Sequence, residues 1–176
     1  VCSSDLNLSS KSFLDSSGIN PPYCKIEDLY KLSNDIILFT GSISGLFGKL
    51  FNKGKFDEIN QLYRELKNKF NDDFFIEIQR HNDTNEKSFE QFNLKNSNDI
   101  KIPIIATNEV FYIEQDMYEA HDALICIGNK SYISDSNRPK YSNQHYLKSD
   151  KEMELLFSDI PEALQNNYNL VYKINY

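Results

Sequence analysis

Three short apolar runs interrupt an otherwise polar chain: IILFT (36–40), FFIEI (74–78) and IPIIAT (102–107). Each is rich in β-branched or aromatic residues and runs continuously, the pattern of a strand buried on both faces. Between the first two, Phe56, Ile59, Leu62, Leu66 and Phe70 recur at spacings of three and four, which predicts an amphipathic helix. Asp57 and Glu58 fall in its first turn and Lys67 and Lys69 in its last, matching the helix dipole. Residues 85–94 predict a shorter helix with Phe89 and Phe92 inward, and Met117, Ala120, Leu124 and Ile127 form a further apolar stripe.

Residues 131–146 lack periodicity and are expected to be irregular. Ser149 then opens Ser-Asp-Lys-Glu, a capping box with Glu152. Pro161 suits the first turn of a final helix carrying Ala163, Leu164 and Leu170. Strands alternating with helices imply parallel βαβ units, hence an α/β sheet or barrel. No repeat or low-complexity linker divides the chain.

A chain of 176 residues with 40% hydrophobic content can bury one domain's core. No apolar run reaches bilayer-spanning length. The formal net charge of −7, from 19 Lys+Arg against 26 Asp+Glu, argues against a phosphate-gripping surface, because nucleic-acid affinity rests on clustered cations. Cys24 and Cys126 lie far apart with no CxxC, fitting a reduced, cytoplasmic setting. Residues 1–6, VCSSDL, differ in composition from the Asn-, Lys- and Ile-rich sequence after them. They coincide with the in-frame translation of a common sequencing-adapter end and are expected to be an artefact. Residues 7–176 are then part of a longer reading frame.

Ligands of parallel α/β folds gather at the carboxyl ends of strands. There the chain places TGSISG, then Glu77 with Gln79, Arg80 and His81, then Thr107, Asn108 and Glu109. These three segments should converge at one rim. GSISGLFGK is not a phosphate loop: the spacing is wrong for GxxxxGK[ST], and Leu50 stands where a hydroxyl would hold magnesium. His81, His121 and His145 are far apart in sequence, without HxH, HExxH or DxH spacing, so core or surface hydrogen bonding is their expected role. No GxSxG surrounds a serine, and neither Cys24 nor Cys126 has a neighbouring histidine. Glu77 and Arg80 are expected to form a structural ion pair or a hydrogen-bonded corner rather than an acid/base pair.

The order DIILFTGSISG, FFIEIQRH, IPIIATNEVFYIEQDMYEAHDALICIG and NQHYLKSDKEMELLFSDIPEALQNN resembles the PHP (polymerase and histidinol phosphatase) domain of bacterial DNA polymerase III alpha subunits, from about Leu8 onward. The resemblance implies an incomplete, distorted (β/α)7 barrel, with residues 7–176 its C-terminal part, ending near the start of a polymerase palm. The palm, which would bind two magnesium ions, and the first His-rich motifs lie outside the chain. It further implies a proofreading epsilon subunit docked on this domain, other polymerase III holoenzyme subunits as partners, and DNA and deoxynucleotides bound through the parent protein.

Family members with an intact PHP metal site use a Cys and an Asp-x-His that align with Ser42, Glu109 and Phe111. Serine is a poor ligand and phenylalanine none. The expectation is a structural PHP domain without metal at these positions, in the catalytic subunit of a replicative polymerase. The alternative is a free-standing, metal-dependent PHP phosphoesterase, which would need the missing ligands. A barrel without its first strands is also expected to expose apolar sheet edges.

Overall fold

The computed structural model describes residues 3–16, 18, 22–33 and 36–174. Of the six expected artefact residues, Val1 and Cys2 lie outside the described residues, and the rest begin helix α1 (Ser3–Leu14). After it come α2 (Ile26–Lys31), β1 (Leu38–Phe39), α3 (Leu46–Asn52), α4 (Phe56–Phe70), β2 (Phe74–Ile78), α5 (Glu86–Ile100), β3 (Ile104–Ala106), α6 (Tyr118–Asn129), α7 (Asp150–Leu156) and α8 (Pro161–Leu170). The three strands pair in parallel in the order β1-β2-β3. Leu38 stands opposite Phe74, and Ile76 opposite Ile104. The chain is thus an α/β fold, and all three strands sit within the predicted apolar runs.

β2 is the middle strand, and its two faces have separate tasks. Phe74, Ile76 and Ile78 join Ile104 and Ala106 in the main core, against Ile59, Tyr63, Leu66 and Phe70 of α4 and Phe89 of α5. Tyr63, not Leu62, is the fully buried member of the third turn of α4, because its hydroxyl finds Asn93 Oδ1 at 2.9 Å inside the core. A buried phenol needs such a partner. On the opposite face Phe75 and Ile105 are buried, and Phe75 meets Phe39 edge to face at 6.0 Å.

Gly41 and Gly48 explain the glycine-rich stretch after β1. Gly41 has φ +79, and a Cβ on Gly48 would lie 2.0 Å from the Ile43 carbonyl oxygen. The stretch is a tight strand-to-helix turn in which backbone packs on backbone.

The outer edge of β3 is closed by side chains instead of a strand. Asn167 of α8 accepts from the Ala106 N–H at 3.2 Å and donates to the Ala106 carbonyl, and Asn166 donates to the Ile104 carbonyl at 2.8 Å. An amide side chain carries the same donor and acceptor as a peptide group, so two asparagines stand in for a neighbouring strand. The expected bare edge is therefore absent on this side. Among the described residues, β1 has a strand partner on one side only.

The apolar stripe of α6 does not face the core. Leu124 is 64% and Ile127 75% exposed, with Met117 and Ala120 also exposed, whereas Asp122 and Cys126 are buried. The reason is Arg138, which forms a paired hydrogen bond with the Asp122 carboxylate at 2.5 and 2.7 Å and so turns the polar side of the helix inward. α5 extends beyond its predicted end, reaching Ile100.

Replacing Asn167 by Ala leaves a buried N–H and C=O without partners and is expected to lower stability by about 2 kcal/mol or more, read from chemical denaturation. α7 begins with the predicted capping box: the Ser149 side chain accepts from the Glu152 N–H, and the Glu152 carboxylate accepts from the Ser149 amide at 2.8 Å. Hydrogen bonds from the Ser149 hydroxyl and amide, then from the Tyr146 hydroxyl, hold the Glu152 carboxyl at about 2, below its ordinary 4.5. A depressed carboxyl pKa stabilises fully above the unfolded value and is lost as pH falls through the folded one. Amide protection in α7 should therefore decline between about pH 4.5 and 2, and Glu152→Ala should flatten that decline.

Candidate functional site

The carboxyl ends of the three strands meet through hydrogen bonds. Thr40, after β1, accepts from the Glu77 amide at 3.0 Å. Glu77 Oε1 in turn accepts from the Thr107 hydroxyl and from Gln79 Nε2, the latter at 3.1 Å, and Gln79 also donates to Thr107 Oγ1 at 2.9 Å. The predicted rim thus forms, with Glu77 as its hub. The expected Glu77–Arg80 ion pair does not form. Residues three apart on an extended chain point to opposite sides, and Arg80 faces the helices.

There the Arg80 guanidinium grips Glu90 of α5 at 2.5 and 3.0 Å, Asp159 after α7 at 2.7 and 2.9 Å, and the Leu156 carbonyl at 2.5 Å, above the Phe157 ring. One side chain ties the end of β2 to α5 and to the α7–α8 corner. Its planar fork of five donors is what this geometry demands.

The next residue starts a second network. The Glu86 carboxylate accepts from the backbone N–H of His81 at 2.8 and 2.9 Å and of Asn82 at 2.8 Å. Burial raises the Glu86 carboxyl pKa, but the hydrogen bonds from His81 and Asn82 outweigh it and leave the group below the usual glutamate range. This charge at the start of α5 fixes the turn at residues 81–85.

His81 and His145 stack with centroids 4.0 Å apart and planes 3° from parallel, both 1% exposed. Glu109 holds both rings through its backbone: its N–H meets His81 Nε2 at 3.2 Å, and its carbonyl accepts from His145 Nδ1 at 3.2 Å. His81 Nε2 also lies 3.2 Å from Asn108 Oδ1. His145 arrives because the irregular segment returns to pair beside β3: Phe111 N–H donates to the His145 carbonyl, and Leu147 N–H to that of Tyr112. Asp83 completes a group in which His81, Asp83 and His145 each offer a ligand atom within 4.8 Å of the others. Nothing in the spacing of His81 and His145 foretold this contact. The only local signal was the His-x-Asp of residues 81–83.

Ser42, Glu109 and Phe111, where the resemblance leads one to expect a lost metal site, are placed differently. Ser42 Oγ lies 2.8 Å from Ser44 Oγ. Glu109 is exposed and engages its neighbours through backbone atoms. Phe111 packs at 4.4 Å from the Tyr141 ring, 4.9 Å from His145 and 5.5 Å from His121. Among the described residues, no hydrogen bond or ion pair joins Ser42, Glu109 and Phe111 to one another.

The α/β fold is consistent with the family comparison, in which residues 5–81 match the PHP domain. Beyond that segment, almost the whole chain is similar to DNA polymerase III alpha subunits. It is 32% identical over 163 residues to DNA polymerase III subunit alpha of Caulobacter vibrioides, covering 93% of this chain and 14% of that protein. The subunit of Borreliella burgdorferi is 33% identical over 169 residues, and that of Vibrio cholerae 32% over 169, each alignment covering 96% of this chain and 15% of the relative. The chain thus spans about one-seventh of the length of these relatives.

Arg80→Met removes the cation that Glu90 and Asp159 share and leaves the partly buried Glu90 charge unpaired. Stability is expected to fall by about 3 kcal/mol, whereas Asp159→Asn, at the exposed end of the network, should cost less than about 1 kcal/mol. Paired denaturation curves of the two variants give the comparison.

Proposed function

We propose that this chain is part of the catalytic alpha subunit of a bacterial replicative DNA polymerase III, working in the cytoplasm, and that the segment is a scaffold rather than a phosphoesterase. The observation that carries the reading is the similarity to alpha subunits along almost the whole chain, combined with Phe111. Its ring occupies an aromatic cluster with Tyr141, His121 and His145, where the resemblance calls for a ligating imidazole. A phenyl ring offers no lone pair, and the Ser42 hydroxyl binds metal weakly.

On this reading the segment belongs to residues 7–176 of an incomplete (β/α)7 barrel. The sheet seen here forms part of the barrel wall, and residues 1–6 are foreign to it. Nucleotidyl transfer, with its magnesium ions, deoxynucleotides and DNA, belongs to a palm elsewhere in the parent. The segment docks the proofreading epsilon subunit and holds its place in the holoenzyme. Net charge −7 supports contact with proteins over contact with DNA. Among the described residues no helix is long and apolar enough to cross a membrane.

The test uses the complete subunit. Sequence downstream of Tyr176 should encode a palm with its aspartate motif, and the purified subunit should co-elute with its exonuclease. Glu109→Ala should leave both metal content and primer extension unchanged. Loss of stoichiometric zinc or manganese in Glu109→Ala would overturn the scaffold reading.

A further inference from the structure

We propose that His81, Asp83 and His145 form a binding site for one divalent cation of the zinc kind, separate from Ser42, Glu109 and Phe111. His145 carries the argument. Its Nδ1–H is given to the Glu109 carbonyl at 3.2 Å, so the lone pair lies on Nε2. That Nε2 is buried and without a hydrogen-bond partner, and Asp83 Oδ2 lies 3.9 Å from it. The gap is too long for a hydrogen bond. It is slightly wider than the about 3.4 Å between two ligands on a tetrahedral zinc with bonds of about 2.1 Å. Ligating histidines almost always give their other N–H to a carbonyl or carboxylate, as this one does.

His81 supplies the third ligand. Its Nε2 accepts from the Glu109 N–H at 3.2 Å and its Nδ1 faces Glu86 Oε1 at 3.5 Å, so a metal held by Nδ1 takes the place of the proton shared with Glu86. Two imidazoles and a carboxylate, with one position left for water, suit zinc. Asp83 has 35% of its side chain exposed, against 1% for either histidine, so an ion enters from the Asp83 side. The Lys148 ammonium, 3.2 Å from Asn108 Oδ1, opposes a cation, and the carboxylates of Asp83 and Glu86 offset it. An imidazole binds a metal in its own plane, so the parallel rings must open to share one ion. Zinc loading therefore rotates His81 against His145 and clamps the turn after β2 to the returning segment at residues 145–147.

The experiment is titration of the chain with zinc sulfate against a chromophoric chelator, alongside nitrogen NMR of the histidine rings. One zinc per chain is expected, with the His145 Nε2 resonance shifted and the melting temperature raised by zinc. Asp83→Asn and His145→Gln should each weaken binding about tenfold or more, and Glu109→Gln should leave it unchanged. Equal zinc uptake by wild type and Asp83→Asn would overturn the site, as would an unmoved His145 resonance at saturation. Loss of zinc in Glu109→Gln alone would assign the metal to the other set. Asp83 is a partly exposed side chain, so its variant decides the matter even where His145→Gln fails to fold.

Discussion

A parallel strand paired along both edges and covered on both faces has no solvent face, and this constraint governs everything along Phe74–Ile78. Its backbone is committed to β1 and β3, so its side chains must be absorbed above and below. Phe74, Ile76 and Ile78 fasten α4 and α5 to one face, and Phe75 joins Phe39 on the other. Glu77 would be costly in such a place. It is tolerated because it falls near the carboxyl end, where Thr107 and Gln79 donate to its carboxylate. The polar rim is thus a consequence of ending a buried strand, before any question of function arises.

The residues just past the strand transmit its position to the rest of the molecule. Arg80 carries it to α5 and to the α7–α8 corner, and His81 to the residues after β3. Neighbouring residues face opposite ways on an extended chain, which lets one short segment serve two networks. The backbone of Glu109 then fixes both imidazoles. Side-chain changes at Glu109 and changes in the histidine pair are therefore chemically separable although the atoms are adjacent. That separation keeps the scaffold reading and the cation site independent of each other.

Much of this was legible in the sequence because it is local. The strand runs, the period of α4, the capping box at Ser149 and Pro161 at the start of α8 each depend on residues a few positions apart. α6 shows where such reasoning stops. Its stripe of Met117, Ala120, Leu124 and Ile127 has a good helical period, yet an Arg138 partner for Asp122 decides which side turns inward. Period reveals an amphipathic helix and not which partner it meets. The same applies to Glu77 and Arg80, whose opposite charges suggested a pair that strand geometry forbids. The meeting of His81 with His145 was illegible for a different reason. The returning segment is irregular and is positioned by backbone pairing beside Tyr112, which no side-chain pattern encodes.

Asn167 shows how a single amide can serve as architecture. It presents both an acceptor and a donor to Ala106, and only its Nδ2 gives it the donor. Spontaneous hydrolysis of that amide would turn the nitrogen into oxygen and set a negative charge against the Ala106 carbonyl. A neighbouring strand has no such weakness, because peptide groups do not deamidate. The edge of this sheet is therefore open, at Asn166 and Asn167, to a chemical change that a neighbouring strand would not undergo.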